Sequence, residues 1–482
     1  MKNVDVAVVG AGFGGLTAGA LAAKSGAKVS LFEQHTRPGG CAGDFALEGF
    51  WFPAGATVVT GLEPGGILRQ VFDKLSIDVP SRPLDPSITF HIPGHAPLPY
   101  VADVAEWKHL LRGALPGAQR YDRFWDWTHD VGGEVYRIGG HLPSLPLQRW
   151  ADLRRTARAT APSMTRLIRW LGATVEDAKR HSDAEGSPAV DAMIDSLLMD
   201  ATGAKARDCS AIQGAIALDL YRRGCQWVEG GTGRLAMMLA RSIRDSGGEV
   251  RFGTGVRALT RTNGRWQITL ADGEEVAART VVANVPPAGL DRLLGRRIRP
   301  TSDRESWSAF VLHLGIDATN LPSISPFHQI VPSDRRPSSL VSVFESRKVG
   351  APRCSISVST HVRAADWRGF PGALACQRGK TEDVLLRNVE EVIPDVRDRT
   401  IVQRSATPQT FERFTSRPGG FVGGLIQRPN VVALRARGHR PEPALFLAGD
   451  HVFPGQGTVG TALSGINAYR DAIEALGGRP LL

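Results

Sequence analysis

Gly10-Ala11-Gly12-Phe13-Gly14-Gly15 and Glu33 are the first residues in the chain whose types and spacing could do chemistry. A pyrophosphate has to be approached closely by backbone, and glycine leaves that space. Gly10 permits a tight strand-to-helix turn, Gly12 lets a phosphate near the main chain, and Gly15 lets the helix pack closely on a sheet. With Phe13 and Gly14 between them, the helix start offers unpaired N–H groups and a positive dipole end. Glu33 lies 18 residues beyond Gly15, where a carboxylate can accept both hydrogen bonds of an adenosine ribose. The acid favours an unphosphorylated ribose, hence FAD or NAD rather than NADP. At the far end of the chain, Gly449-Asp450 and Gly457-Thr458-Val459-Gly460 again combine glycines, an acid and a helix start.

Regular elements must hold these residues. Val4–Val9 is apolar and β-branched, the pattern of a buried parallel strand. Leu16–Ser25 reads as a helix, and Lys28–Glu33 as a second strand ending in the acid. Strand, glycines, helix, strand and acid in this order make a specific signal, where the glycines alone would be weak. Ala444–Asp450 and Thr461–Ala472 repeat the strand and helix near the C-terminus.

Composition bounds the rest. A length of 482 residues exceeds one hydrophobic core, which predicts two domains. Hydrophobic residues at 42% and charged residues at 22% fit a water-soluble globular protein. The net charge of +10 is mostly arginine; without a nucleic-acid motif it leaves an anionic membrane surface or base-composition bias as readings. Cys41, Cys209, Cys225, Cys354 and Cys376 are odd in number and form no CxxC. That argues against a disulfide framework or metal site and suggests a cytoplasmic protein. The uncharged run Val6–Ala23 could belong to a secretory leader, but its glycine density suits a dinucleotide turn better. No other stretch has the length to span a bilayer.

Glu33-Gln34-His35-Thr36-Arg37-Pro38-Gly39-Gly40-Cys41 resembles the flavoprotein pattern of the amine oxidase and phytoene desaturase superfamily. The resemblance implies that this segment follows the phosphates and ribityl chain of FAD, with Gln34, Arg37, Gly39, Gly40 and Cys41 among the contacts. Gly49–Thr57 is similar to the family's next block, which implies Gly55, Ala56 and Thr57 against the flavin ring; Pro53 stands where the family usually has an acid. Glu229–Leu235, a helix over Leu235–Asp245 and Gly247–Val256 match a further block, which implies a contact between the Val256 backbone and the adenine. Trp266–Leu270 and Glu275–Arg279 read as strands about Asp272-Gly273, and Thr280–Asn284 as the strand returning to the cofactor domain. Gly449, Asp450, Gly457, Thr458 and Val459 resemble the closing motif. There the Asp meets the ribityl–phosphate part, and the final helix aims its N-terminus at the pyrimidine edge of the flavin. The implied fold class is α/β: a discontinuous Rossmann-type FAD-binding domain over 1–70, 205–295 and 430–482. A second α+β substrate domain with a mixed sheet covers 71–204 and 296–429, and includes strands over Ser308–Gly315 and Cys354–Thr360.

Ala406–Phe414, Gly419–Gly424 and Gly61–Gly66 are similar to the carotenoid desaturase and isomerase group. They imply a long apolar polyene substrate, with the chemistry residing in the flavin. A desaturase removes a hydride and a proton from adjacent carbons, so no catalytic triad or metal is expected. His451, beside the flavin motif, is the acid–base candidate, although a loop histidine more commonly serves a hydrogen bond. A carotenoid cis–trans isomerase using reduced FAD, an amine oxidase, and a non-catalytic prenyl-lipid carrier on the same fold are the alternatives. Residues 149–170 place Arg149, Arg154, Arg155, Arg158, Arg166 and Arg169 among Trp150, Leu153, Ile168 and Trp170. Such a segment can lie peripherally on an anionic membrane or form a solvated cap, and Pro162 predicts two short helices.

Overall fold

The computed structural model describes residues 2–145, 150–160, 164–298, 306–334, 336–346, 352–431 and 439–482. Two sheets organise it. The first runs Val256–Thr262, Arg265–Leu270, Glu275–Ala283, Lys2–Val9, Val29–Phe32 and Glu249–Arg251, with Leu445–Leu447 also paired to Glu275–Ala283. Lys2–Val9 pairs in parallel with both of its neighbours, and Leu445–Leu447 is parallel to Glu275–Ala283. Arg265–Leu270 is antiparallel to the strands on either side. The unbroken apolar run at the N-terminus follows from burial on both faces. Val6 and Val8 pack into the core on one side, and Val4, Ala7 and Val9 into the core on the other.

Helices Phe13–Lys24, Gly231–Asp245 and Gly457–Ala475 cover one face of this sheet. Leu16, Leu21, Leu235, Leu239 and Ile466 are fully buried there. Each contributes about 1.5–3 kcal/mol relative to an exposed position. The first and last helices cross so closely that a Cβ on Gly465 would collide with the Gly14 carbonyl.

The second sheet runs Thr400–Ala406, Trp307–Asp317, Arg353–Val362, Ser339–Ser346, Phe327–Ile330, Ile88–His91 and Leu98–Tyr100, with Phe421–Val422 added to Trp307–Asp317. Phe327–Ile330 is parallel to Ile88–His91 and the other pairings are antiparallel, so the sheet is mixed. Pro371–Glu390 packs Leu385, Leu386 and Val389 against it. A helical layer that includes Asp122–Gly140 and Ala211–Gly224 adjoins the sheet through a core in which Tyr100, Trp107 and Trp125 meet edge to face.

Three boundaries differ from the expectation. The first helix starts at Phe13 and the last at Gly457, each three or four residues early, because the glycines counted as turn form the opening helical turn. The helix expected over Leu235–Asp245 likewise begins at Gly231. The segments expected as two strands at 275–279 and 280–284 form one strand, Glu275–Ala283, antiparallel to one neighbour and parallel to the other. Around residues 149–170 there are two short helices, Trp150–Thr160 and Met164–Leu167, then a 3-10 turn at Ile168–Trp170. Arg149, Pro162 and the side chain of Arg155 lie outside the described residues.

Candidate active site

The glycine turns of the first sheet and the strands of the second enclose a cavity of about 1690 Å³. That exceeds the ~300–1,000 Å³ of an ordinary small-molecule site, and leaves room for a dinucleotide and a second ligand. Gly10, Gly12, Phe13, Gly14, Glu33, Gln34, Gly39, Gly40 and Cys41 form its nucleotide side. Gly55, Ala56, Thr57, Val256, Gly449, Asp450, His451, Gly457, Thr458 and Val459 also line it. Chain segments far apart in sequence therefore meet in one wall.

The nucleotide side leaves no room for side chains. A Cβ on Gly10, whose φ is +96°, would stand 2.5 Å from the Asn284 carbonyl, and one on Gly12 would stand 2.5 Å from Asn284 Oδ1. The Gly39 N–H donates to the Ala11 carbonyl at 2.7 Å, which docks the second glycine pair on the first turn. Glu33 is buried; its Oε2 accepts from the Ala11 N–H at 2.7 Å and its Oε1 from the His35 N–H at 2.9 Å. Each oxygen keeps a second lone pair for a ribose hydroxyl. Asn284 Nδ2 donates to the Ala448 carbonyl, whereas its buried Oδ1 has no partner among the described residues. A glycine cradle, a fixed carboxylate and an orphan acceptor fit the adenosine and diphosphate of FAD.

At the other end, the Ala56 N–H donates to the Cys41 carbonyl at 2.9 Å, and Ser342 Oγ donates to Thr57 Oγ1 at 2.9 Å. These bonds anchor the Gly55-Ala56-Thr57 segment in the cavity wall. Gln456 caps helix Gly457–Ala475 without a side-chain hydrogen bond, and no acid occupies the first turn. Its N–H groups and dipole therefore face the site uncompensated, and favour negative charge on a bound ring.

Two expected contacts stand elsewhere. Arg37 does not line the cavity, because its guanidinium pairs with Asp44. Gly15 serves packing: a Cβ there would strike the Gly10 carbonyl. Asp450 lines the cavity, but its carboxylate accepts a bidentate pair from Arg417 at 2.9 and 3.0 Å. His451 Nε2 lies 3.7 Å from Asp450 Oδ1.

The structure adds groups the sequence did not single out. Asp200 Oδ1 lies 3.6 Å from His361 Nδ1, and Asp200 Oδ2 is buried without a partner among the described residues. Both line the cavity, and Gln456 donates to the carbonyl of the adjacent Ala201. Glu63 and Tyr136 also line it; burial pushes the Glu63 carboxyl and the Tyr136 phenol up. Asp200 and His361 come from different elements 161 positions apart, so no spacing rule could pair them. Away from these groups the wall is largely apolar, with Ile138, Ile212, Ile216, Leu220 and Leu340, and carries Arg137, Gln213 and Arg223 among them.

The chain matches the profile described as flavin containing amine oxidoreductase over residues 13–473. It is 23% identical to the chloroplastic prolycopene isomerase of Daucus carota, over 98% of this chain and 80% of that one. It is 26% identical to the lycopene-forming phytoene desaturase of a Paracoccus species, over 84% of each. Among solved structures, wild-type putrescine oxidase bound to putrescine superposes with a TM-score of 0.66 at 15% identity, covering 98% of this chain and 99% of that one. With its flavin site built and its profile matched almost end to end, the chain belongs to the flavin containing amine oxidoreductase family and uses FAD.

Proposed function

We propose that this flavin oxidoreductase desaturates a long apolar polyene of the carotenoid class. The observation that carries the reading is the apolar lobe of the cavity, continuous with the flavin site and too large for the cofactor alone. The likeness to a prolycopene isomerase and a phytoene desaturase over most of the chain supports it. Bound FAD supplies the two-electron acceptor. The chain's part is to orient the polyene, exclude water and receive a proton. As the new C=C forms, one carbon gives up a hydride and its neighbour a proton. His361, a cavity-lining histidine with the Asp200 carboxylate 3.6 Å from its Nδ1, is the base we assign to take that proton. Isomerisation with reduced flavin is the second reading, favoured by the prolycopene isomerase match over 98% of the chain.

The cavity opens beside Leu167, Trp170 and Leu171. In the same stretch of chain Trp150, Ile168 and Leu171 are 76%, 57% and 64% exposed, and Arg154, Arg158, Arg166 and Arg169 are exposed as well. Exposed apolar side chains interleaved with arginines next to cavity-lining residues suit the cytoplasmic face of an anionic bilayer, from which a polyene can pass into the cavity. Anaerobic incubation with candidate carotenoids, followed by product spectra, separates the readings. A lengthened conjugated system supports desaturation. A geometric change only after flavin reduction supports isomerisation, and reaction with amines alone excludes both.

A further inference from the structure

We propose that Arg417 grips the diphosphate of FAD, so that the cofactor's phosphates are held by a side chain from the far wall as well as by the glycine turn. A diphosphate brings about two negative charges into an enclosed cleft, and such charge is stabilised by N–H dipoles and by guanidinium forks. Helix Phe13–Lys24 supplies the dipoles but has no basic residue in its first turn. Arg417 supplies the fork. It lines the cavity with Gly12, Gly40 and Cys41. Gly40 abuts Gly12, with the Gly40 Cβ direction ending 3.6 Å from the Gly12 Cα. Arg417 is in turn close enough to Cys41 to act on its thiol, which burial raises and the guanidinium lowers.

The ion pair to Asp450 sets the direction of the fork. Nη1 and Nη2 each give one hydrogen to the carboxylate, and the side chains are 14% and 13% exposed. A guanidinium has five N–H donors. Three of them therefore have no partner among the described residues and stay available beside the Gly40-Cys41 segment. The local backbone serves the same end. Helix Pro408–Thr415 closes at Ser416, which holds φ +56° and turns the chain so that Arg417 enters the cleft. The other arginines of the wall are spent or distant. Arg137 pairs with Glu134 and Arg223 with Asp219, on the helices of the apolar lobe. Arg257 and Arg292 stand beside Val256, Val285 and Pro286, at the adenosine end.

The test is ligand affinity of the flavin-free full chain, measured by calorimetry for FAD, ADP and riboflavin. FAD and ADP carry the diphosphate and riboflavin does not. Arg417→Gln is expected to weaken FAD and ADP about 10- to 100-fold, the loss of a charge-assisted hydrogen-bond pair. Riboflavin is expected to stay within about twofold. Unchanged ADP affinity overturns the proposal. So does an equal loss for riboflavin, which would make Arg417 a support for Asp450 alone. Arg417→Lys keeps the charge and loses the fork, and it guards against failure of the glutamine variant to fold. It is expected to lose ADP affinity by a smaller factor with riboflavin unchanged, and the same two results overturn the proposal there.

Discussion

Gly12, Glu33 and Asn284 illustrate how few side chains a cofactor site needs when backbone does the work. Gly12 and Glu33 were legible because their chemistry depends on local spacing: a turn, a helix start and an acid at the next strand end. Asn284 directly follows the strand Glu275–Ala283, which the sequence read as two pieces, and its orphan Oδ1 beside Gly12 exists only in three dimensions. The same holds for Asp200 and His361, brought to within 3.6 Å of each other in the cavity wall. His361→Phe should lower turnover of the polyene by about 10²-fold while leaving FAD affinity unchanged, since a general base contributes about that factor. Steady-state turnover and a flavin titration on the same preparation check both halves.

Elements, rather than residues, carry the stability. The first and last helices meet through Gly14 and Gly465, and Gly465→Ala would drive a methyl into the Gly14 carbonyl. Overpacking of this kind costs about 1–3 kcal/mol, so calorimetry should show a lowered Tm together with looser FAD binding. The second sheet carries a pH-sensitive seam. His91 and His328 sit on its one parallel strand pair, with the ring nitrogens His91 Nε2 and His328 Nδ1 3.1 Å apart, and His328 Nε2 donates to the Ser325 carbonyl at 2.8 Å. Burial holds His91 below the usual histidine range, and burial with the neighbouring His91 lowers His328 to about 4. The folded protein therefore binds fewer protons than the unfolded chain below pH ~6.5. This contribution is fully present above pH ~6.5 and is lost as pH falls towards 4. A Tm series across that window should decline, and His328→Gln should flatten the decline. Sequence exposed little of this seam. His91 and His328 are 237 positions apart, and a histidine in an alternating strand looks like any polar residue until the sheet order is known. Strands such as Trp307–Asp317 were legible because apolar alternation is local; the order that makes Phe327–Ile330 parallel to Ile88–His91 is not.

At the scale of the molecule, the flavin-binding residues, the apolar wall and Leu167, Trp170 and Leu171 line one cavity. Trp150 and Ile168, in the segment that also supplies the lining residues Leu167 and Trp170, face solvent, unlike the fully buried Trp107 and Trp125 of the helical core. Co-sedimentation with vesicles rich in anionic lipid should retain the protein, vesicles of neutral lipid should not, and Trp150→Ser with Ile168→Ser should weaken retention. The fold class and the cofactor were legible from the paired glycine motifs at the two ends of the chain, because both ends follow local rules. The apolar lobe was not, since Ile138, Ile212, Ile216, Leu220 and Leu340 come from separate elements whose apolar residues also fill ordinary cores. The central claim, a polyene oxidised at this flavin, is tested most directly by mixing the FAD-loaded protein with a carotenoid without oxygen. The account predicts bleaching of the oxidised flavin, matched mole for mole by a polyene of longer conjugation. A flavin that stays oxidised with carotenoids and bleaches with amines would contradict it.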